Sequence, residues 1–304
     1  MEYDLVIIGA GPAGLTAAIY AARYKLSTLV VGEQIGGMAA EADEICNFPS
    51  YKKIIGIELT KKMIEQVENL GVEIKNSYAD SIKKIDSQFL VKTNSTEYKA
   101  KKIILATGTE KRKLGLKNED KFLGKGISYC ATCDAAFFKN KVVGVVGGSN
   151  SALTAALLLS KFANEIYIIY RKNKFFRAEP KWVEEVERNE KIKSIFNANV
   201  IELVGENKLE YVKLDNGEKL NLDGLFVEIG SIPSVKLAEE LGIELEENHI
   251  KVDKKQRTNM EGVFAAGDVT NSPLKQIIVA CAQGAIAANS AYEELRNETN
   301  MINI

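Results

Sequence analysis

The chain has 304 residues, a formal net charge of −1, four cysteines and one histidine. That length suits two domains with sizeable cores. The balanced charge leaves no basic surplus to neutralise phosphates and argues against a nucleic-acid scaffold. A single histidine excludes a multi-histidine metal site and leaves only His249 for a Ser-His-Asp triad. It lies in a strand-like stretch, residues 248–252, with no nucleophile motif beside it, and reads as a partly exposed structural residue.

At the N-terminus no basic segment precedes an apolar run, so a strand rather than a signal peptide is expected over residues 4–8. No run approaches the roughly 18 apolar residues of a membrane span. A cytoplasmic protein is therefore expected, without structural disulfides. The run Leu5-Val6-Ile7-Ile8 suits a strand buried on both faces, as in a parallel sheet. Gly9-Ala10-Gly11-Pro12-Ala13-Gly14 follows, then a helix over 15–23 and a second strand over 26–31. In this spacing Gly9 permits a tight turn, Gly11 lets backbone approach a pyrophosphate, and Gly14 allows helix and strand to pack closely. The phosphate would lie on a helix N-terminus, where unpaired N–H groups favour an anion. Glu33 is either the acidic ribose ligand expected about 20 residues on or a solvated loop charge.

A helix is expected over 56–70 and strands over 72–76, 81–85 and 89–92, before Ile103-Ile104-Leu105-Ala106-Thr107-Gly108. Cys130-Ala131-Thr132-Cys133-Asp134 is the most specific feature. In a reducing compartment two thiols at i and i+3 mark redox chemistry or half a zinc site; a zinc site needs two more ligands, and only the isolated Cys46, Cys281 and His249 remain to supply them, which favours the redox dithiol. A helix starting near Ala131 would favour a thiolate, and Asp134 could shuttle its proton. A second strand–turn–helix–strand unit runs from 141 to 170, with Gly147-Gly148-Ser149-Asn150-Ser151-Ala152 as its turn. The two turns lie 138 residues apart, so two nucleotide sites on two domains are expected. Gly262-Val263-Phe264-Ala265-Ala266-Gly267-Asp268 and an apolar helix over 276–295 close the chain. Cys46 and Cys281 are isolated and receive no catalytic role; Trp182 reads as packing.

Together, the N-terminal dinucleotide turn, the CATCD dithiol and the late GD pair resemble the low-molecular-weight thioredoxin reductases over essentially the whole chain. The resemblance implies an α/β fold of two Rossmann-like dinucleotide-binding domains, one inserted in the other, of the three-layer ββα type. An FAD domain would be built from residues 1–112 and 233–304. An NADPH domain over 113–232 would carry the redox-active dithiol, and the assembly would be a homodimer. For FAD it implies Gly9, Gly11, Pro12, Ala13 and Gly14 at the pyrophosphate, and the loop Gly32, Glu33, Gln34, Gly36, Gly37 and Met38 beside the nucleotide. Asn47 would lie at the isoalloxazine, Thr107 and Gly108 would form the ATG turn, and Asp268 would hold the ribitol. Lys275, Gln276 and Ile277 would line the flavin, lysine replacing the usual arginine. Cys133 would face the flavin, Cys130 would attack the disulfide of a thioredoxin-like partner, and Asp134 would serve as acid and base.

The second nucleotide site departs from the family pattern. Ser149 replaces the second glycine, Thr154 and Ala155 replace a pair of glutamates, and Tyr170 replaces the histidine of the 2′-phosphate motif. Gly147, Ser149, Asn150 and Ser151 would cradle NADPH. Arg171, Lys172 and Arg177, with Lys174, either bind its 2′-phosphate or form a solvated charge run. NADH or ferredoxin as donor, a flavin dithiol oxidase, and a non-catalytic redox sensor are the competing readings.

Overall fold

Four consecutive apolar residues need cover on both faces, and strand β1 (Glu2–Ile8) has it in the computed structural model, which describes residues 2–302. Leu5 and Ile7 enter a core shared with helix α1 (Pro12–Arg23), while Val6 and Ile8 enter a second core on the opposite face. β1 pairs in parallel with β2 (Thr28–Val31) and β6 (Glu97–Leu105). After α2 (Gly56–Asn69), β3 (Glu73–Lys75) extends the sheet beyond β2. β4 (Ala79–Ile85), β5 (Gln88–Thr93) and β6 form an antiparallel meander whose Ile82, Phe89 and Val91 cover the second core.

The chain then passes through β7 (Thr109–Lys111) into an inserted unit. Its elements are α3 (Glu119–Phe122), β8 (Ile127–Ser128), α4 (Ala131–Asp134), β9 (Val142–Val146), α5 (Asn150–Ser160), β10 (Glu165–Tyr170), α6 (Pro180–Glu187) and β11 (Ile192–Phe196). β12 (Val200–Val204), β13 (Tyr211–Leu214), β14 (Lys219–Asn221) and β15 (Gly224–Val227) follow. The order β11-β10-β9-β15-β8 is parallel throughout, and the carboxyl ends of such strands are where ligands bind. α5 and α6 cover one face, with Trp182 buried among Leu153, Ala156 and Leu159. The β12–β13–β14 meander supplies the core of the other. β16 (Ser231–Pro233) pairs with β7 as the chain leaves.

α7 (Lys236–Glu240), β17 (Leu245–Glu246), β18 (His249–Ile250), β19 (Val263–Ala265) and α8 (Ile277–Ile302) complete the first unit. β19 docks in parallel on residues 103–105 of β6. α8 meets α1 backbone to backbone: a Cβ on Gly284 would lie 2.1 Å from the Ala13 carbonyl oxygen. This unit therefore has three layers: meander, parallel sheet, and helices.

The compact units are Met1–Glu110 with Pro233–Ile304, and Lys111–Ile232. The first crossing falls two residues before the position 112 expected from sequence. Lys111 and Arg112 go with the inserted unit because their bonds do: the Arg112 N–H donates to the Gly230 carbonyl, and the Lys111 ammonium donates to the Tyr129 carbonyl. No helix among the described residues is long and apolar enough to cross a membrane.

Candidate active site

The first glycine turn separates the demands of folding from those of a ligand. Gly9 has φ +114°, and a Cβ there would lie 2.1 Å from the Ala106 oxygen; a Cβ on Gly14 would lie 1.9 Å from the Gly9 oxygen. Both glycines are required by the fold. Gly11, the residue capping α1, has φ −82° and ψ −175°, extended values open to any residue. A Cβ on it would touch nothing nearer than the Gly37 Cα at 3.7 Å. Neither backbone nor packing needs glycine there, so its vacancy is room for a group approaching the N-terminus of α1. Pro12 occupies the first turn of that helix and Ala13 is buried beneath it. Gly36 and Gly37 close the other side: the Gly36 N–H donates to the Ala10 oxygen, and Gly32 packs on Ala10. Glu33, Gln34 and Met38 are exposed on this loop, and Gln34 donates to Glu41 at 2.7 Å. Glu33 stands two residues past the end of β2.

Residues named separately from the sequence come together at the start of α8. The Asn47 amide donates to the Gln276 oxygen at 2.9 Å, directly before Ile277 opens the helix. Thr107 donates to the Ser234 carbonyl at 2.8 Å, and the Ser234 N–H donates to the Gly108 oxygen, joining the two halves of the split unit. Burial pushes the Asp268 carboxyl above its usual range, against the opposing pull of Lys275 and His249. Among the described residues no donor reaches that carboxylate. A half-buried carboxylate without a donor fits a ligand hydroxyl. Lys275 donates to the carbonyls of Asp268 and Thr270, and burial lowers its ammonium below its usual value.

The dithiol stands at the carboxyl end of β8. Cys130 and Cys133 are joined as a disulfide with their Cα atoms 5.3 Å apart. Cys130 caps the single turn of α4, and the Cys133 N–H donates to its sulfur at 3.2 Å. Cys133 is exposed, whereas Cys130 and Asp134 are half-buried. Four residues invisible as a motif hold this segment: Lys111, Glu119, Ser128 and Tyr129. Cys46 donates to Glu44 at 3.0 Å, and burial raises the thiol of the half-buried Cys281.

The second turn repeats the first in backbone. Gly147 has φ +147°, and a Cβ there would lie 2.1 Å from the Glu228 oxygen. Ser149 caps α5 at φ −107° and ψ −179°, nearly the angles of Gly11, and its hydroxyl makes no capping bond. The Tyr170 ring lies over Gly148, where a Cβ would meet it at 2.4 Å, and stacks on Phe175 with centroids 5.8 Å apart. Asn150 and Glu179 bond reciprocally, at 2.8 and 2.7 Å, drawing the 171–179 loop back to the start of α5; Ser151 is exposed. Arg171, Lys172, Lys174 and Arg177 are exposed on that loop and make no ion pair among the described residues.

Comparison with known proteins agrees with this geometry. The pyridine nucleotide-disulphide oxidoreductase family matches residues 3–284. A thioredoxin reductase of Bacillus subtilis is 41% identical, covering 98% of this chain and 96% of its own length. A thioredoxin reductase structure from Lactococcus lactis superposes with a TM-score of 0.92 at 38% identity, covering 96% of this chain and 98% of that one. One from T. acidophilum gives 0.91 at 39% over the same shares. The chain belongs to the pyridine nucleotide-disulphide oxidoreductase family and is a flavin-dependent disulfide oxidoreductase.

Proposed function

We propose that this enzyme is a thioredoxin-disulfide reductase that passes two electrons from NADPH through FAD to the Cys130–Cys133 pair and on to a thioredoxin-like protein. The observation that carries the reading is a disulfide at the carboxyl edge of the same parallel sheet that bears one nucleotide turn, in a chain whose other unit bears a second turn. The relatives' names support thioredoxin as the partner. A homodimer in the cytoplasm is part of the same proposal.

The residues of the first unit fit FAD. The open face of Gly11 and the N-terminus of α1 suit its pyrophosphate, and the half-buried Asp268 carboxylate, which no donor among the described residues reaches, suits its ribityl hydroxyls. Asn47 and Gln276, bonded together beside the start of α8, would orient the ring edge. When bound, FAD takes a hydride from reduced nicotinamide and supplies an electron pair to a disulfide. The remaining chemistry belongs to the chain. Reduction breaks the Cys130–Cys133 bond, leaving a thiolate and a thiol. The Cys130 thiolate attacks the partner disulfide, forming a mixed disulfide and expelling a sulfur that Asp134 helps protonate. Cys133, deprotonated in turn, attacks Cys130 sulfur, restores the internal disulfide and releases the partner as a dithiol. The nicotinamide and the dithiol belong to one unit and must reach one flavin in turn, so we propose rotation of that unit about β7 and β16.

Four exposed cations without ion-pair partners among the described residues support NADPH as donor; the serine and the tyrosine ring at the second turn favour a different donor, NADH or ferredoxin. One experiment covers both. The purified yellow protein is mixed with NADPH, NADH or reduced ferredoxin, and thioredoxin reduction is followed in wild type and Cys133→Ser. Cys133-dependent reduction of thioredoxin is expected, fastest with NADPH. Absence of any Cys133-dependent disulfide reduction refutes the proposal.

A further inference from the structure

The backbone of Cys130 is fixed by bonds that do not involve sulfur. Ser128 is buried; its hydroxyl accepts the Cys130 N–H at 3.0 Å and donates to the Cys130 carbonyl at 3.2 Å. The Asp134 N–H donates to the same carbonyl at 3.1 Å. One residue earlier, Tyr129 is held at both ends. Its phenol donates to the carboxylate of Glu119, and its carbonyl accepts the ammonium of Lys111. Glu119 is only 5% exposed, and its carboxylate also takes the N–H groups of Leu114, Gly115 and Leu116, at 2.9, 2.7 and 3.3 Å. Lys111 is held in place by Glu228 at 3.3 Å, on a side chain 11% exposed at the end of the strand beside β8. Cys133, by contrast, is tied to Cys130 through the disulfide and through an N–H that donates to the Cys130 sulfur.

The asymmetry has a consequence for a cycling dithiol. When the disulfide opens, the bonds on Ser128 and Tyr129 survive, whereas the covalent tie on Cys133 is gone. We propose that Tyr129 is a positioning residue for Cys130, anchored by Glu119 and Lys111, and that it sets the effective concentration of one thiol against the other. This inference rests on the reading of the pair as a redox dithiol, but not on the identity of the donor or partner.

The test equilibrates the holoenzyme with dithiothreitol of graded oxidation. Two electrons and two protons leave dithiothreitol, which closes to its cyclic disulfide, as the Cys130–Cys133 bond opens to two thiols. Alkylation and mass measurement count the thiols. Tyr129→Phe removes only the bond to Glu119, and Lys111→Met removes the bond to the carbonyl. Each is expected to make the internal disulfide about tenfold easier to reduce, a rise of about 30 mV. Lys111→Arg, which keeps a donor, is expected to restore the wild-type equilibrium. Lys113→Met, which removes an exposed lysine paired with Asp120 on the same connector, is expected to leave it unchanged. Wild-type equilibria in both Tyr129→Phe and Lys111→Met overturn the inference. So does a shift in Lys113→Met as large as theirs. If Lys111→Met does not fold, the near-isosteric Tyr129→Phe decides alone. Failure of wild type to reduce thioredoxin would refute the functional reading and leave this equilibrium measurable.

Discussion

Gly11 and Gly14 differ by three positions, and the structure assigns them opposite consequences. A Cβ on Gly14 would lie 1.9 Å from the Gly9 oxygen, so α1 would have to withdraw from the turn by more than an ångström. Displacements of that size forfeit a quarter to a half of the dispersion attraction across a packed interface. Leu15, Ala17, Ala18 and Ala21 all pack through it. Gly14→Ala is therefore expected to cost the apo-protein about 3 kcal/mol, the upper end of overpacking penalties. A Cβ on Gly11 meets only an ordinary contact at 3.7 Å, at a negative φ. Alanine is a poorer capping residue than glycine, but it also narrows the unfolded ensemble by about 0.4–1 kcal/mol. The two effects nearly cancel, leaving apo stability within about 1 kcal/mol of wild type. The same methyl would stand in the path of the pyrophosphate and cost about 1–3 kcal/mol of FAD binding, roughly five- to 150-fold in Kd. Urea unfolding of the apo-proteins and flavin fluorescence on titration separate the two effects. Gly11→Ala with wild-type affinity for FAD would refute the assignment of that space to a ligand. Gly14→Ala with wild-type stability would refute the contact.

Two further outcomes are expected. Asp268→Asn should stabilise the apo-protein at neutral pH while weakening FAD roughly ten- to hundredfold, through loss of hydrogen bonds to a charged acceptor, about 1.5–3 kcal/mol. The folded carboxyl is raised, so its contribution to stability is present below the ordinary carboxylate range and is lost as pH rises through the raised value. The advantage of Asn over Asp should thus vanish in acid; thermal unfolding of both apo-proteins against pH checks this, and a constant difference would count against it. For the donor, Arg171→Ala with Lys172→Ala should raise KM for NADPH about tenfold and leave KM for NADH unchanged, the loss of about 1.4 kcal/mol of charge-assisted bonding. Equal effects on both nucleotides would make the cluster a solvated charge run.

Features set by local chain geometry were legible in the sequence. The strand–turn–helix units announce themselves through apolar runs and glycine spacing, and the dithiol through its own spacing. Features assembled by tertiary folding were not. Ser128 and Tyr129 adjoin Cys130 in the chain but form no motif with it, and only the parallel pairing of β8 with β15 and the fold of the connector bring Lys111 and Glu119 to Tyr129. Gly148 has no role in the glycine spacing of the second turn, yet its lack of a side chain makes room for the Tyr170 ring, a fit that only the folded chain reveals. Asn47 and Gln276 were each recognisable, but their mutual hydrogen bond joins segments 229 residues apart.

The two turns, compared position by position, say what the serine at 149 reports on. At the first position both turns need glycine: Gly9 and Gly147 have positive φ and each abuts a carbonyl oxygen at 2.1 Å from the Cβ position. At the third the units differ by a methyl, Gly14 against Ala152, because α1 sits closer to its turn; a Cβ on Gly147 would lie 2.8 Å from the Ala152 Cβ. At the second position Gly11 and Ser149 share an extended backbone that any residue can adopt. Folding therefore exerts no demand for glycine there, and a ligand pressed against the helix N-terminus is the remaining reason for one. A serine at that position leaves the fold intact and alters only the surface a pyrophosphate would meet. If the hydroxyl crowds the phosphate, Ser149→Gly should lower KM for NADPH about fivefold, the effect of about 1 kcal/mol, with kcat unchanged. A rise in KM of that size would instead show the hydroxyl bonding the phosphate. An unchanged KM, with flavin still reduced by NADPH, would separate Ser149 from the nucleotide altogether and refute the parallel between the two turns.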